Sequence, residues 1–351
     1  MGMTSKERVR AAFEHKTPDR VPCFLKGVDV AYGKLMKHFG VDSYEAVHDK
    51  MDIDVWNLWA PYIGPELPVQ KTADGHDEFT HEFGYRYIMH WNGAEYNAHT
   101  TYYPLQETET IEQLDAWTWP NPDHFDYEAV ARECGKHENR ALRIGWPGVY
   151  QFVTNLVDAE KLYIDMATEP EYAQHLFDKM VEFELEYYGR MFEAADGRID
   201  ILCVCDDYGT QNGMLFSNDM WNQFFAKNTK RLADLAHRHG AFYLQHSCGA
   251  VRPIIGNLID CGVDGLDPIQ KVAGMEPEGL KADFGDQLCF HGGIDTQDLL
   301  PHGTPAAVTA EAERFIETLN KNGGYILGPS QDFEGDVPVE NILALYAARR
   351  I

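Results

Sequence analysis

The sequence lacks any long apolar stretch, so no membrane-spanning helix is predicted. Basic residues are scarce as well: 30 Lys and Arg stand against 56 Asp and Glu, which gives a net charge of -26. A surface this acidic repels nucleic acid and anionic membranes, so we expect neither as a partner. A heavily anionic substrate would need a locally basic pocket. Residues 1–8 lead into a charged helix and contain no apolar signal region.

Cysteines are few and scattered, and their number, 7, is odd. This usage is typical of a reducing compartment, so we expect a cytoplasmic protein. No G-x-G-x-x-G motif follows the first predicted strand, which argues against a dinucleotide-binding sheet. What the chain does have is 351 residues, of which 44% are hydrophobic, and this is enough for one barrel-sized domain or two smaller ones.

Eight short apolar runs, separated by helical patterns, are predicted to be strands. They cover residues 21–26, 54–59, 141–146, 199–205, 242–246, 262–267, 287–291 and 324–327. Strands that alternate with helices favour an α/β fold, a (β/α)8 TIM barrel, with an open doubly wound sheet as the alternative. Residues about 66–105 alternate in polarity around an Asn92-Gly93 turn, which predicts an antiparallel hairpin insertion after the second strand. We therefore expect residues 1–351 to form a single barrel domain.

Polar side chains collect where the predicted strands end, which is where a (β/α)8 barrel has its active site. They are Asp206, Asp207, His246, Cys248, Asp267, His291, Asp295 and Gln331. A single polar residue after a strand is common in ordinary loops and indicates no function by itself. The clustering of eight such residues indicates an enzyme. His246 and Cys248 are two residues apart, and imidazole and thiolate are ligands that suit Zn²⁺. On spacing alone, the two could equally be ordinary strand-end residues.

Three of these residues are candidates for catalysis, each with a structural alternative. Asp207 could be a general base, a cation ligand or a loop cap. His291 could be catalytic or a buried, hydrogen-bonded histidine, and Asp295 could be catalytic or an N-cap. A glycine pair would let a cofactor approach the backbone closely, and an aromatic ring near a strand end could form the wall of a flat pocket or belong to the core. The predicted cofactor-binding residues are Trp146, Gly292 and Gly293.

Several motifs, in order along the chain, resemble those of the uroporphyrinogen decarboxylase superfamily. The opening segments TSKERV and PDRVP resemble the start of that superfamily. The later motifs are DDYGTQ at 206–211, HSCG at 246–249, FHGGIDTQ at 290–297, GPS at 328–330 and VPVEN at 337–341. The resemblance runs almost end to end and implies a (β/α)8 barrel.

The superfamily contains tetrapyrrole decarboxylases and cobamide-dependent methyltransferases. The decarboxylases share an arginine-rich segment after the first strand, whereas residues 26–33 here contain no arginine. The methyltransferase branch implies zinc held by an H-x-C pair, which His246 and Cys248 match, and by a later cysteine. That third position falls near Gln331, and glutamine is a poor zinc ligand. Asp207, His291 or a water molecule could replace it, or zinc could be absent.

The resemblance therefore implies a methyltransferase whose cofactors are zinc and a corrinoid carried by a partner protein. The methyl group would move between that corrinoid and a small substrate, either a methylated one (methyl ether or methylamine) or a thiol acceptor. The alternatives are a tetrapyrrole decarboxylase and a non-catalytic binder of corrinoid or another ligand. An oligomer is also compatible with the sequence.

Overall fold

The structure, a computed structural model, describes residues 2–145, 147–272 and 274–349. Strands β1 to β11 are, in chain order, Val55–Asn57, Val69–Lys71, Asp77–Thr80, Arg86–Trp91, Tyr96–Tyr102, Ala141–Ile144, Ile201–Cys205, Phe242–His246, Gly265–Asp267, Cys289–His291 and Tyr325–Ile326. Helices α1 to α15 are Ser5–Phe13, Asp29–Phe39, Tyr44–Met51, Ile111–Ala116, Tyr127–Lys136, Val149–Leu156, Ala159–Thr168, Pro170–Ala195, Asn218–Trp221, Lys227–Arg238, Ile255–Asp260, Pro277–Phe284, Leu299–His302, Pro305–Leu319 and Val339–Ala347. Within these residues, no helix combines the length and apolarity needed to cross a membrane.

Seven strands form one parallel sheet in the order β1-β6-β7-β8-β9-β10-β11. Most of their residues are buried, as expected for parallel strands that are covered by helices, and β1 at the edge is the least buried. Because the strands are parallel, their carboxyl ends meet along one edge of the sheet. Seven of the eight predicted strands are thus present, most of them with narrower bounds than the sequence indicated.

The segment 21–26, predicted as the first strand, does not form a strand. Cys23 makes only an isolated parallel bridge to Leu327. The Leu327 N–H donates to the Pro22 carbonyl (2.8 Å), and the Asp54 N–H donates to the Cys23 carbonyl (3.0 Å). Pro22 has no N–H to contribute to a ladder. In place of an eight-stranded barrel, the described residues therefore show a seven-stranded sheet whose two edges both contact this segment.

A second sheet, antiparallel and four-stranded, occupies residues 69–102 in the order β2-β3-β4-β5. Strands β4 and β5 pair on either side of the Asn92-Gly93 turn. The Asn92 side chain accepts the N–H groups of Ala94 (2.8 Å) and Glu95 (2.9 Å), and Gly93 has φ +107°. The sheet lies within the range in which the sequence predicted an antiparallel insertion.

Helix α1 covers the end of the parallel sheet at which the strands begin. A capping box between Thr4 and Glu7 starts the helix. The Phe13 ring stacks on that of Phe242, the first residue of β8, at 4.6 Å. Val9 and Phe13 belong to a buried apolar cluster that also contains residues of six strands. Apolar side chains therefore fill this end of the sheet, and polar side chains are left to gather at the opposite end.

One carboxyl group in the core has no partner among the described residues. Glu184, on α8, is 1% exposed, and neither of its carboxylate oxygens has a hydrogen-bond partner there. Burial raises the pKa of Glu184 well above its usual value, and the nearby Asp206 charge raises it further. The folded protein therefore keeps a proton on Glu184 at pH values where the unfolded chain has lost it.

We expect Glu184→Met to stabilise the fold by about 1–3 kcal/mol near pH 8, because it removes two buried acceptors without partners. A pKa raised in the folded state means that wild-type stability falls as the pH rises above the unfolded value of 4.5. The stabilisation by Glu184→Met should therefore become smaller toward acid pH. Urea unfolding at about pH 5 and about pH 8 measures the difference.

The matched control is Glu182→Met, on the same helix, where the carboxylate is 64% exposed and pairs with Arg231. Since exposed pairs contribute little, we expect a change of roughly 0.5 kcal/mol or less at either pH. An equal effect of Glu184→Met at the two pH values would contradict the assignment of a protonated, partnerless carboxyl group.

Candidate metal centre

The ends of β7 and β8 bring three metal-ligating side chains together. Cys205 and His246 are partners in the parallel ladder, so the residues that follow them leave the sheet side by side. Asp207 lies two residues beyond Cys205, and Cys248 lies two residues beyond His246. Residues i and i+2 of an extended chain face the same side. The alternation therefore predisposes Asp207, His246 and Cys248 to point at one spot, and we call them the metal cluster.

The distances within the metal cluster suit a small cation. Cys248 Sγ lies 3.4 Å from His246 Nε2, which lies 3.7 Å from Asp207 Oδ1. The three ligand atoms all lie within 4.8 Å of one another. Ligands of tetrahedral zinc are roughly 3.3–3.8 Å apart, given bond lengths of about 2.0–2.3 Å. One carboxylate, one imidazole and one thiolate thus fit zinc and leave a fourth position for a substrate.

The Asp207 carboxylate is oriented by two donors. Its Oδ1 accepts the backbone N–H of Cys248 (2.7 Å), and its Oδ2 accepts Gln151 Nε2 (2.9 Å). The bond from Cys248 ties the β7 loop directly to the β8 loop. A third hydrogen bond fixes the β8 loop, because the Gly249 N–H donates to Gln270 Oε1 (2.7 Å). The cluster is therefore held by hydrogen bonds between loops and does not depend on an ion for its shape.

Asp267, the last residue of β9, connects two histidines. It is fully buried, and its Oδ2 accepts His246 Nδ1–H at 2.6 Å. Its Oδ1 accepts His291 Nδ1–H. Lys26 Nζ lies 3.6 Å from the same carboxylate. Because His246 uses Nδ1 for Asp267, its Nε2 is the nitrogen that faces Cys248 and Asp207.

The two histidines on Asp267 have opposite pKa shifts. Burial lowers the pKa of His246, but the Asp267 charge and hydrogen bond outweigh it and raise the pKa to about 10. For His291, burial outweighs the same carboxylate, and the pKa is lowered. Burial raises the pKa of Asp267 itself, but Lys26 and the histidines lower it well below its usual value. His246 is therefore an imidazolium while no metal is bound, and a metal has to displace its Nε2 proton.

Gln331 and His291, both considered as third ligands, contact the cluster differently. Gln331 Nε2 donates to Cys248 Sγ, so an amide nitrogen that cannot ligate a metal faces the sulfur. His291 is 2% exposed, bonds Asp267 and lies 4.9 Å from the Phe24 ring. The sequence left two alternatives for His291, a catalytic residue or a buried, hydrogen-bonded histidine. These contacts match the second. A ligand role for Gln331 and a catalytic role for His291 stay predictions.

The remaining predicted site residues have local structural contacts. Gly292 has φ +72°, and a Cβ there would meet the Pro329 carbonyl oxygen at 2.5 Å. A Cβ on Gly293 (φ +112°) would meet the Phe315 ring at 2.4 Å, so packing alone requires both glycines. Asp295 caps the next turn by accepting the N–H groups of residues 297 and 299. Trp146 lies outside the described residues. The cofactor-binding and catalytic roles of these residues stay predictions.

Residues 104–351 match the sequence profile of the family described as "Uroporphyrinogen decarboxylase (URO-D)". The chain belongs to the uroporphyrinogen decarboxylase family. The resemblance inferred from its motifs is thereby confirmed. The match covers the strand ends that carry Asp207, His246 and Cys248.

Two curated relatives of this uroporphyrinogen decarboxylase family chain carry the name "methylcobamide:CoM methyltransferase MtaA". Both come from Methanosarcina barkeri, the second from strain Fusaro, and they are 27% and 26% identical over 205 residues. The aligned part is 58% of this chain and 56% of each relative, so the chain spans about half the length of the relatives it matches. A solved structure described as "methyltransferase from Methanosarcina mazei" superposes with a TM-score of 0.71 over 99% of this chain and 98% of that one. At 21% identity, this similarity establishes the shared fold.

Sequence reasoning missed several side chains that surround the centre in this uroporphyrinogen decarboxylase family member. They are Lys26, Arg143, Gln151 and Gln270. The period of two in the strands would have indicated Arg143, which alternates with Leu142 and falls on the same side as the inward-facing Ala141. No comparable signal marks Gln151 and Gln270, because their helix and loop are placed by tertiary packing.

Proposed function

We propose that this chain is a zinc-dependent methyltransferase that works with a corrinoid carried by a partner protein. The observation that carries the proposal is the convergence of Asp207, His246 and Cys248 at the strand ends. Family membership and the shared fold support it. The two curated relatives, named for methyl transfer from a methylcobamide, support the reaction class.

In this proposal Asp207, His246 and Cys248 hold the metal, with Asp207 in the place that the sequence assigned to Gln331. Zinc bound there supplies Lewis acidity, which lowers the pKa of a thiol substrate or stabilises the alkoxide or phenolate that leaves a methyl ether. Asp267 holds His246 in the tautomer whose Nε2 faces the cluster. Gln331 donates to the Cys248 sulfur and so stabilises its negative charge.

The corrinoid is proposed to approach the same strand ends from outside the sheet. A contact with Trp146, Gly292 and Gly293 remains the sequence-based proposal for this step. A tetrapyrrole decarboxylase is disfavoured, because residues 26–33 carry no arginine. That segment contains one cationic residue, Lys26, and its Nζ is paired with the Asp267 carboxylate at 3.6 Å.

The test is anaerobic incubation of the full chain with a methylated and a reduced corrinoid protein, and with methyl ethers, methylamines and thiols. Zinc content is measured on the same preparation by mass spectrometry. We expect about one zinc per chain and a change in the corrinoid spectrum with one substrate class. A metal-free chain that still transfers methyl groups, or transfer unchanged in His246→Ala, would disprove the proposal. Turnover of uroporphyrinogen would favour the decarboxylase.

Gln331→Cys is expected to tighten zinc binding by about tenfold or more, because it places a second thiolate beside Cys248. The wild-type contact between Gln331 Nε2 and Cys248 Sγ shows that the two side chains already meet. A competition titration with a chromophoric chelator measures the affinity. The control is Gln331→Ser, which offers no thiolate and should not tighten binding. Equal affinities of Gln331→Cys and the wild type would mean that zinc does not lie between these side chains.

A further inference from the structure

The hairpin of β4 and β5, residues 86–102, has an apolar patch that is open to solvent. Trp91 and Tyr96 are partners in the β4–β5 ladder, and their ring centroids lie 5.0 Å apart. The Trp91 residue is 44% exposed and Tyr96 is 64% exposed. Met89 is also exposed and lies two residues before Trp91, so it is on the same face. We call Met89, Trp91 and Tyr96 the hairpin patch, and three large apolar side chains exposed side by side indicate an interaction surface.

The turn of this hairpin touches the loop that follows β11. A Cβ on Gly335 would meet the Ala94 carbonyl oxygen at 2.7 Å, so the two backbones are in close contact. Burial raises the pKa of Glu95 in the turn, and the charges of two carboxylates in that loop raise it further. Gln331, whose Nε2 donates to Cys248 Sγ, belongs to the same loop. The turn therefore lies near the strand ends that carry the metal cluster.

Strand β5 of the hairpin is tied to a residue of the metal cluster through helix α6. Thr100 Oγ1 donates to Asn155 Oδ1 (2.6 Å), and Asn155 Nδ2 donates to the Gln151 carbonyl (3.0 Å). Gln151 Nε2 in turn donates to Asp207 Oδ2 (2.9 Å). These three hydrogen bonds form an unbroken line from β5 to the metal cluster. Together with the contact at the turn, they give the hairpin a defined position relative to the cluster.

The hairpin is electrically neutral, although the chain as a whole has a net charge of -26. Among residues 86–102 only Arg86 and Glu95 are charged when the histidines are neutral, and the two charges cancel. A neutral apolar patch on an acidic surface favours a flat, uncharged molecule over an ion. A corrinoid is such a molecule, because it is a broad ring system with largely apolar faces. Aromatic side chains pack well against such rings, either offset or edge to face.

We propose that the hairpin patch is the docking surface for the corrinoid that the partner protein carries, with the Trp91 and Tyr96 rings against its ring system. The inference rests on the proposed function in taking a corrinoid as the methyl carrier. The hairpin turn meets the loop of Gln331, so a ring system held on the patch lies beside the strand ends. The hydrogen bonds from β5 through α6 to Asp207 keep that surface in register with the metal cluster.

The test is equilibrium dialysis of the full-length chain against methylcobalamin in the dark, without a partner protein. We expect saturable binding that Trp91→Ala and Tyr96→Ala each weaken by roughly five- to tenfold, because each removes an aromatic ring. The matched control is Tyr102→Ala, which removes an exposed tyrosine of the same strand about 20 Å from Tyr96. Its ring packs on Arg86 at 4.3 Å, and we expect this variant to bind like the wild type. Zinc content should be the same in all three variants, since none of them changes a ligand of the metal cluster.

No saturable binding by the wild type, or equal binding by the wild type, Trp91→Ala and Tyr96→Ala, would overturn the inference. A dimer that dissociates in Trp91→Ala during analytical ultracentrifugation, without methylcobalamin binding, would also overturn it, because the patch would then serve a second copy of the chain. Transfer assays on the same preparations separate the two proposals. Binding that depends on Trp91, with no methyl transfer by the wild type, would disprove the proposed function and leave the docking surface standing. Methyl transfer by the wild type, with binding unchanged in both patch variants, would do the reverse.

Discussion

Alanine at His246 is expected to weaken zinc binding by roughly 10²–10³-fold and to abolish methyl transfer. The free energy of binding a structural zinc is about 10–16 kcal/mol. If it is divided over four coordination positions, of which the metal cluster supplies three, one ligand accounts for about a quarter of it. The loss should be large because the ligand is pre-positioned: Asp267 fixes Nδ1, and Nε2 points at Cys248 Sγ, 3.4 Å away. Cys248→Ala should have an effect of the same order.

The measurement is zinc content after dialysis, followed by competition with a chelator at several pH values. Because the pKa of His246 is about 10, binding should release a proton and tighten as the pH rises. The matched control is Cys134→Ala, since Cys134 is a buried free cysteine on α5, away from the strand ends. Full zinc content in both His246→Ala and Cys248→Ala would show that the metal, if any, binds elsewhere.

Asp267→Ala is expected to destabilise the fold by about 3–5 kcal/mol near neutral pH. The change leaves Lys26 as a buried cation without its partner and takes the acceptor from the Nδ1–H groups of His246 and His291. The pKa of Asp267 is depressed in the folded state, so its contribution is present above the unfolded pKa of 3.8 and is lost as the pH falls below it. The difference from the wild type should therefore shrink in acid.

Urea unfolding of the metal-free proteins measures this effect, with Asp264→Ala as the control. Asp264 also accepts from an imidazole (2.8 Å) and a backbone N–H (2.7 Å), but its side chain is 29% exposed, so we expect a cost of about 1 kcal/mol. The milder Asp267→Asn keeps an acceptor and loses the charge, and should lower zinc affinity by about 10–100-fold. A cost in Asp267→Ala no larger than in Asp264→Ala would mean that Lys26 and the histidines do not depend on this carboxylate.

The parts of the fold that were predictable are those with a local signal. β8 was predicted with its observed bounds, 242–246, because an apolar run is delimited by a preceding glycine and a following polar motif. Helix α14 starts at Pro305, where a Thr304 cap precedes a proline at the first helical position. Residues 21–26 have the same apolar character as β8, yet strand pairing depends on partners from distant parts of the chain. There Leu327 exchanges two backbone hydrogen bonds with Pro22 and Phe24, and Asp54 makes one with Cys23, so the pairing with Leu327 stays an isolated bridge.

By itself, the sequence determined the alternation of strands and helices, the placement of polar residues at strand ends, and the H-x-C pair. These follow from periodicity and from the short i, i+2 spacing of His246 and Cys248. The tertiary structure alone decided that Asp207 joins that pair and that Asp267 supports it. The reason is that these contacts join residues 21 to 41 positions apart, and sheet register, not local propensity, sets which of them meet.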